Sequence, residues 1–280
     1  MDKGCLYIVA MPIGNRADIT ERAKQVLSSV DVIAAEDTRH SRPLLQMLAI
    51  NTPLLALHEH NEQKLVGRLV DQLVAGGTLA LISDAGTPLI SDPGFPLVRA
   101  CREAGVRVVP IPGPSALICA LSAAGLPTDR FLFEGFPART GTARREQFRR
   151  LKDEGMTLIF YEASHRIEAC LADMMAVFGG DRPAVVAREL TKLHETILSR
   201  PLAALVELLA QDPNQRKGEF VVLVAGAQRS ADALDPESER ILGVLLEEMP
   251  TKQAAALAAR ITGAKKNRLY QRALELRGEP

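Results

Sequence analysis

Two Gly/Pro-rich strand exits, about thirty residues apart, constrain this chain most. The first runs Leu79-Ala80-Leu81-Ile82-Ser83-Asp84-Ala85-Gly86-Thr87-Pro88 and continues to Ser91-Asp92-Pro93-Gly94. The second runs from Val106 to Ile111 and ends in Pro112-Gly113-Pro114-Ser115-Ala116. Each is a short apolar run, as a buried parallel strand requires, closed by turn residues. Gly and Pro shape a rigid loop with open backbone at the carboxyl edge of a sheet. Open α/β sheets bind their ligands at that edge.

The first 125 residues alternate between the two periodicities. Strands are expected at 6–10, 30–35, 54–57, 79–83 and 106–111, with helices near 18–29, 40–49, 61–75, 95–104 and 115–124. Strict alternation with short links implies a parallel sheet covered on both faces. Ala124-Gly125-Leu126-Pro127 is a breaker and marks a boundary. Residues 126–230 then read as a second α/β domain, with strands near 131–134, 157–161, 184–189, 195–199 and 219–225. Helices are expected there near 141–152, 165–178 and 201–210. The adjacent runs 184–189 and 195–199 suggest a hairpin in a mixed sheet. Residues 231–280 read as a small helical element.

With 47% hydrophobic and 24% charged residues, the 280-residue chain suits a soluble protein with one or two sizeable cores. Acidic and basic residues balance at 34 each, so any attraction to nucleic acid has to come from local patches. No apolar run approaches the roughly 20 residues that span a bilayer. The start, Met1-Asp2-Lys3-Gly4, leads straight into a strand without a signal-peptide layout. Cys5, Cys101, Cys119 and Cys170 are scattered in apolar segments and read as buried thiols of a reducing cytoplasm.

The loop after the first strand, Met11-Pro12-Ile13-Gly14-Asn15, lacks the Gly-x-Gly-x-x-Gly that seats a pyrophosphate. No phosphate-binding Gly-x-x-x-x-Gly-Lys-Ser/Thr loop occurs either. The sheet therefore suits a ligand without a phosphate chain. S-adenosyl-L-methionine fits: an adenine edge and ribose hydroxyls to bond, and a sulfonium that tolerates carbonyls and carboxylates.

Five blocks, in order over nearly the whole chain, resemble the tetrapyrrole-methylase-type (class III) methyltransferases. They are Ile8 to Asn15, Ala35-Glu36-Asp37-Thr38-Arg39, Ser83 to Pro88, Pro112 to Ala116, and Arg188-Glu189-Leu190-Thr191-Lys192. Within that family they look like the ribosomal RNA small subunit methyltransferase I branch. The resemblance implies two α/β domains with S-adenosyl-L-methionine in the cleft between them, a C-terminal helix-turn-helix-like element, and a homodimer. It implies methylation of the ribose 2′-hydroxyl of a cytidine in the decoding region of 16S ribosomal RNA in the small ribosomal subunit. Carried over position by position, the cofactor residues are Pro12, Asp84, Gly86, Thr87, Ile90, Pro112, Gly113, Ser115, Ala116, Tyr161, Leu190 and Ala225. Where many tetrapyrrole enzymes carry Gly-Asp-Pro, this chain has Gly86-Thr87-Pro88, with its acid upstream at Asp84.

The acceptor side is read from the remaining sheet-edge loops. Glu36, Asp37 and Arg39 leave the second strand and are the catalytic candidates; capping of the next helix by Asp37 or Thr38 competes with that reading. His58-Glu59-His60-Asn61 reads as a polar loop, with no further ligand cluster to make it a metal site. RNA contacts are expected from Arg144, Arg145 and Arg149 on a basic helix, from Lys192, and from Lys265, Lys266 and Arg268 in the tail. From 231 to 250 there are six acidic residues and one basic; from 251 to 280, seven basic and two acidic. Two rival functions stay open: a small-molecule methyltransferase of the tetrapyrrole type, and a non-catalytic ribosome-binding protein.

Overall fold

The first sheet is built from five short runs: β1 (Cys5–Val9), β2 (Val32–Ala35), β3 (Leu54–Ala56), β4 (Thr78–Ile82) and β5 (Arg107–Ile111). All are parallel, in the order β3-β2-β4-β1-β5. Helices α1 (Glu21–Ser29), α2 (Thr38–Met47), α3 (Glu62–Val74) and α4 (Phe95–Glu103) cover it. Strand side chains alternate, so Val9, Ile33 and Ala80 pack with α1 and α2, while Leu6, Ala34 and Leu81 pack with α3 and α4. The loops leaving the neighbours β1 and β4 run to opposite halves of the sheet. That crevice is where such sheets bind ligands.

The computed structural model describes residues 4–227, Leu234 and 236–278. The chain divides into two units after Gly226. In the first unit, α5 (Ala116–Ala123) leaves β5, and the chain crosses to a second sheet around Gly125. That sheet comprises β6 (Phe131–Gly135), β7 (Thr157–Ala163), β8 (Pro183–Arg188), β9 (Thr196–Pro201) and β10 (Glu219–Val224), in the order β6-β7-β10-β8-β9. Only β6 and β7 pair in parallel; β8 and β9 form the expected hairpin. One face packs on α6 (Gly141–Leu151), α7 (Ile167–Phe178) and α8 (Leu202–Gln211). The other face sets Ile159, Val185 and Leu223 against Leu117, Ala120 and Leu121 of α5. Ile13 from the loop after β1 and Leu190 from the loop after β8 join that core, so loops of the two sheets meet there.

The second unit holds α9 (Pro236–Glu248), α10 (Thr251–Thr262) and α11 (Lys266–Arg277). Small residues Ala254, Ala255, Ala258 and Ala273 let the helices approach Leu242 and Leu269 closely. Gly263 ends α10 in the left-handed conformation at φ +75°, and the short link to Lys266 gives a helix-turn-helix layout. The expected two α/β sheets with a C-terminal helical element are thus present. The boundary expected at 230/231 lies outside the described residues. Among the described residues no helix is long and apolar enough to cross a membrane.

Candidate active site

Three loops at the carboxyl edge of the first sheet are bonded into one rim. Met11 and Gly86 exchange both backbone bonds, the Met11 N–H donating at 2.8 Å and the Gly86 N–H at 3.0 Å. Gly86 holds φ +74°, a left-handed conformation that glycine adopts without strain. The Thr87 hydroxyl then donates to the Pro114 carbonyl at 3.0 Å. From the second sheet, the Asn15 N–H donates to Thr191 Oγ1 at 3.0 Å. Glu189 and Thr191 both sit at positive φ, 50° and 64°, and the loop between them presents Leu190 inward. Such strained non-glycine residues persist only where their surroundings fix them.

These loops enclose a cleft of about 400 Å³. Its walls include Ile13, Asp84, Gly86, Thr87, Ile90, Ser115 and Ala116 from the first sheet, and Tyr161, Ala187, Leu190 and Val221 from the second. The Tyr161 hydroxyl accepts from the Leu117 N–H at 3.2 Å, and burial raises its pKa, so it stays a phenol. Glu36, Asp84 and Asp92 gather in the same cleft. Burial raises the pKa of Glu36, and the nearby Asp84 charge adds to this. Burial likewise pushes Asp92 up to about 6, with Glu36 and Asp84 contributing. Three crowded carboxylates and no lysine or arginine among the lining residues make a site for a cation, with apolar surface beside it. A sulfonium and an ammonium attached to an adenosine fit that donor set.

Of the expected cofactor residues, Asp84, Gly86, Thr87, Ile90, Ser115, Ala116, Tyr161 and Leu190 line the cleft. Pro12, Pro112 and Gly113 shape the loops without lining it. At Gly113 a β-carbon would stand 2.9 Å from the Ala10 Cβ, so loop packing by itself already calls for glycine there. Ala225 is not brought to the site. β10 runs antiparallel to β7 and β8, so its carboxyl end opens beside Pro183 at the far edge of the sheet.

The acceptor candidates separate in the same way. Glu36 faces the cleft, whereas Asp37 caps α2 by accepting from the Arg39 N–H at 2.8 Å. The Arg39 side chain also grips Asp37, at 3.1 and 2.7 Å, and these bonds hold the carboxyl well below its ordinary range. Asn61 closes the turn into α3, accepting from the His58 N–H and donating to the Ala56 carbonyl. Among the described residues no metal-binding group of His, Cys, Asp and Glu assembles.

Three expected RNA contacts are already engaged. Arg144 is buried and bonded to Asp173, with Nε to Oδ2 at 2.8 Å, and Arg145 reaches the other oxygen at 2.7 Å. Lys192 is neutralised by Glu189 and Glu219, each at 2.9 Å. Arg149 is exposed beside Glu146, and Lys265 and Lys266 are exposed at the start of α11. Arg272 pairs with Glu239 and Glu275, and Arg277 donates to the Leu246 and Met249 carbonyls, so part of the tail's charge serves its own packing. Sequence reasoning did not single out Asp92 or Phe136, both in the cleft wall. Asp92 stood in the quoted Ser91-Asp92-Pro93-Gly94 extension of a cofactor loop, which was its only signal.

A family model described as Tetrapyrrole (Corrin/Porphyrin) Methylases matches residues 5–206, and one described as RsmI C-terminal HTH domain matches residues 232–277. A protein named Ribosomal RNA small subunit methyltransferase I from Pseudomonas aeruginosa is 56% identical over 100% of both chains. Its Escherichia coli O157:H7 namesake is 54% identical, covering 99% of this chain and 96% of that one. Among solved structures, the methyltransferase CobJ matches with a TM-score of 0.59 at 18% identity, over 81% of this chain and 97% of that one. Uroporphyrin-III-C-methyltransferase from Thermus thermophilus matches with a TM-score of 0.56 at 19% identity, over 80% and 94%. These two likenesses concern the fold.

Proposed function

Because this chain belongs to the tetrapyrrole methylase family, in its ribosomal RNA small subunit methyltransferase I group, we propose that it methylates the ribose 2′-hydroxyl of a cytidine in the decoding region of 16S ribosomal RNA. Its methyl donor is S-adenosyl-L-methionine. One observation carries the reading: the acidic cleft and the helix-turn-helix tail occur together in a chain similar, end to end, to proteins of that name. A small-molecule methylase has no use for such a tail.

When bound, the donor supplies an electrophilic methyl group on a sulfonium. The bonded rim of Met11, Gly86 and Thr87 fixes the first-sheet wall, and Tyr161 and Leu190 close the second. Asp84 and Asp92 balance the positive charge. Glu36 accepts the proton of the ribose hydroxyl as its oxygen attacks the methyl carbon in line. A donor held by these walls would give its methyl to that oxygen, the C–S electron pair leaving with sulfur. A carboxylate with a raised pKa suits that role, and such a base contributes ~10² to 10⁴ in rate beyond positioning. The tail docks the enzyme on the subunit through Lys265 and Lys266, and the working form is a cytoplasmic homodimer. The test is transfer of labelled methyl to purified small subunits and to free tetrapyrroles, followed by nucleoside mapping. The expected product is 2′-O-methylcytidine; label in a nucleobase or a tetrapyrrole refutes the reading.

A further inference from the structure

The second sheet places an aromatic face in the cleft wall by breaking its own alternation. Phe133 touches Tyr161 edge to face, with ring centroids 4.9 Å apart. Three residues on, a regular strand would turn its side chain to the opposite face. Yet Phe136 also meets Tyr161, at 5.7 Å. The pairing of β6 with β7 shifts register between Phe133 and Gly135, and Gly135 takes φ +66°. That irregularity turns Phe136 back to the cleft side; bulges beside active sites often re-aim side chains in this way.

The segment carrying Phe136 is braced. Arg166 Nη2 donates to the carbonyls of Pro137 and Ala138, and the Ala138 N–H donates to Gln147 Oε1 at 3.1 Å. Gln147 in turn donates to Glu134 at 3.1 Å. Despite this support Phe136 is left 55% exposed, in a chain with only eight phenylalanines and no tryptophan. A ring that costs solvation, held rigidly at the mouth of a cleft, is a platform awaiting a flat partner.

The charge of the cleft decides which part of an RNA enters. Glu36, Asp84 and Asp92 repel phosphate, and no lysine or arginine lines the wall to offset them. A nucleotide can therefore present its ribose and neutral base inward only with its phosphates left outside. Unstacked bases in single-stranded RNA are commonly held by stacking on aromatic side chains. We propose that Phe136, exposed in the cleft wall that Ile90 also lines, forms a nucleobase subsite that stacks the extruded base of the nucleotide being methylated. The proposal rests on the RNA-methylating reading above and adds the recognition of the base.

The test compares Phe136→Tyr, Phe136→Leu and Phe136→Ala. Methyl transfer to small subunits gives kcat/KM, calorimetric titration gives donor affinity, and thermal melting checks the fold. Tyr should keep near-normal transfer, because it keeps the ring. Leu and Ala should lose on the order of 10- to 100-fold in kcat/KM, the size of one base–aromatic stack, with donor affinity within about twofold. If Leu performed as well as Phe, stacking would be ruled out. A matching loss of donor affinity would place Phe136 on the donor instead. A second probe needs no turnover: a single-stranded RNA with pyrrolocytosine at the target position, bound in the presence of S-adenosylhomocysteine. Its fluorescence should be quenched by the wild type and by the Tyr variant more than by Leu or Ala. Inactivity of the wild type on subunits would sink the functional reading; quenching independent of residue 136 would sink the subsite.

Discussion

Asp92→Asn tests the crowding of carboxylates in the cleft. Burial, with Glu36 and Asp84 nearby, raises the Asp92 pKa from 3.8 to about 6. The folded chain therefore holds this proton more tightly than the unfolded chain does. The resulting stabilisation is full below about pH 4 and is lost as pH rises through about 6. Each pH unit of that rise corresponds to ~1.4 kcal/mol, about 3 kcal/mol in all. The carboxylate keeps partial access to water, and allowing for that screening leaves ~1.5 kcal/mol. The Asn variant avoids the penalty of the charged form and leaves the Ser83 hydroxyl bonded to the Ala85 carbonyl. The chain has no tryptophan, so urea unfolding is best followed by circular dichroism. At pH 8 the variant should be more stable than wild type by that amount, and at pH 4 the two should coincide. A cationic donor should pull the carboxyl back toward its ordinary range, so donor binding near pH 6 should release protons from the wild type and not from the variant. Equal stabilities at pH 8, or the same gain at both pH values, would refute the carboxylate-crowding account.

Glu36→Gln should slow methyl transfer by ~10² to 10⁴ with subunit binding intact, whereas Arg39→Ala should leave turnover nearly unchanged; a reversed order would move the base to α2. Gly113→Val should lower the melting temperature through collision with Ala10, and its donor affinity, measured well below that temperature, should fall little. Asp173→Ala leaves the buried Arg144 without its partner and should destabilise by about 3 to 5 kcal/mol in denaturant titration. The double change Lys265→Gln, Lys266→Gln should flatten the log–log salt dependence of subunit binding by about 1.5, at ~0.7 to 0.9 per phosphate contact, with donor affinity unchanged.

The sheets and the rim were legible because their signals are local. Apolar runs ending in Gly and Pro at 83–88 and 112–116 mark strand exits, and one-dimensional alternation is enough to find β1 to β5. Ala225 was misplaced because sequence does not say which way a strand runs in a mixed sheet. In the basic run at 144–150 the engagement of Arg144 could not be read from sequence, because the carboxylate that holds it lies 29 residues away, on another helix. Lys192 is likewise engaged from afar, by Glu219 of β10, as well as by Glu189 three residues before it. Phe136 was invisible because its orientation depends on a register shift that no periodicity records. Asp37 shows the reverse: its capping role was readable from the residues that follow it, and the structure places it there.

The bond from the Asn15 N–H to Thr191 links residues 176 apart in the chain. At a synthesis rate of roughly 5 to 20 residues per second, about 9 to 35 s separate the appearance of the two partners. Within that interval the first sheet can assemble once β5 has been made, and Gly86 then holds Met11, but the Asn15 N–H still lacks its Thr191 partner and Leu190 has not been made. A nascent chain therefore carries half a cleft, open on the side that Tyr161 and Leu190 later close. A complete donor cleft becomes possible only after Val221, its last lining residue, has been made, which leaves an apolar wall around Ile13 in need of shielding while it waits.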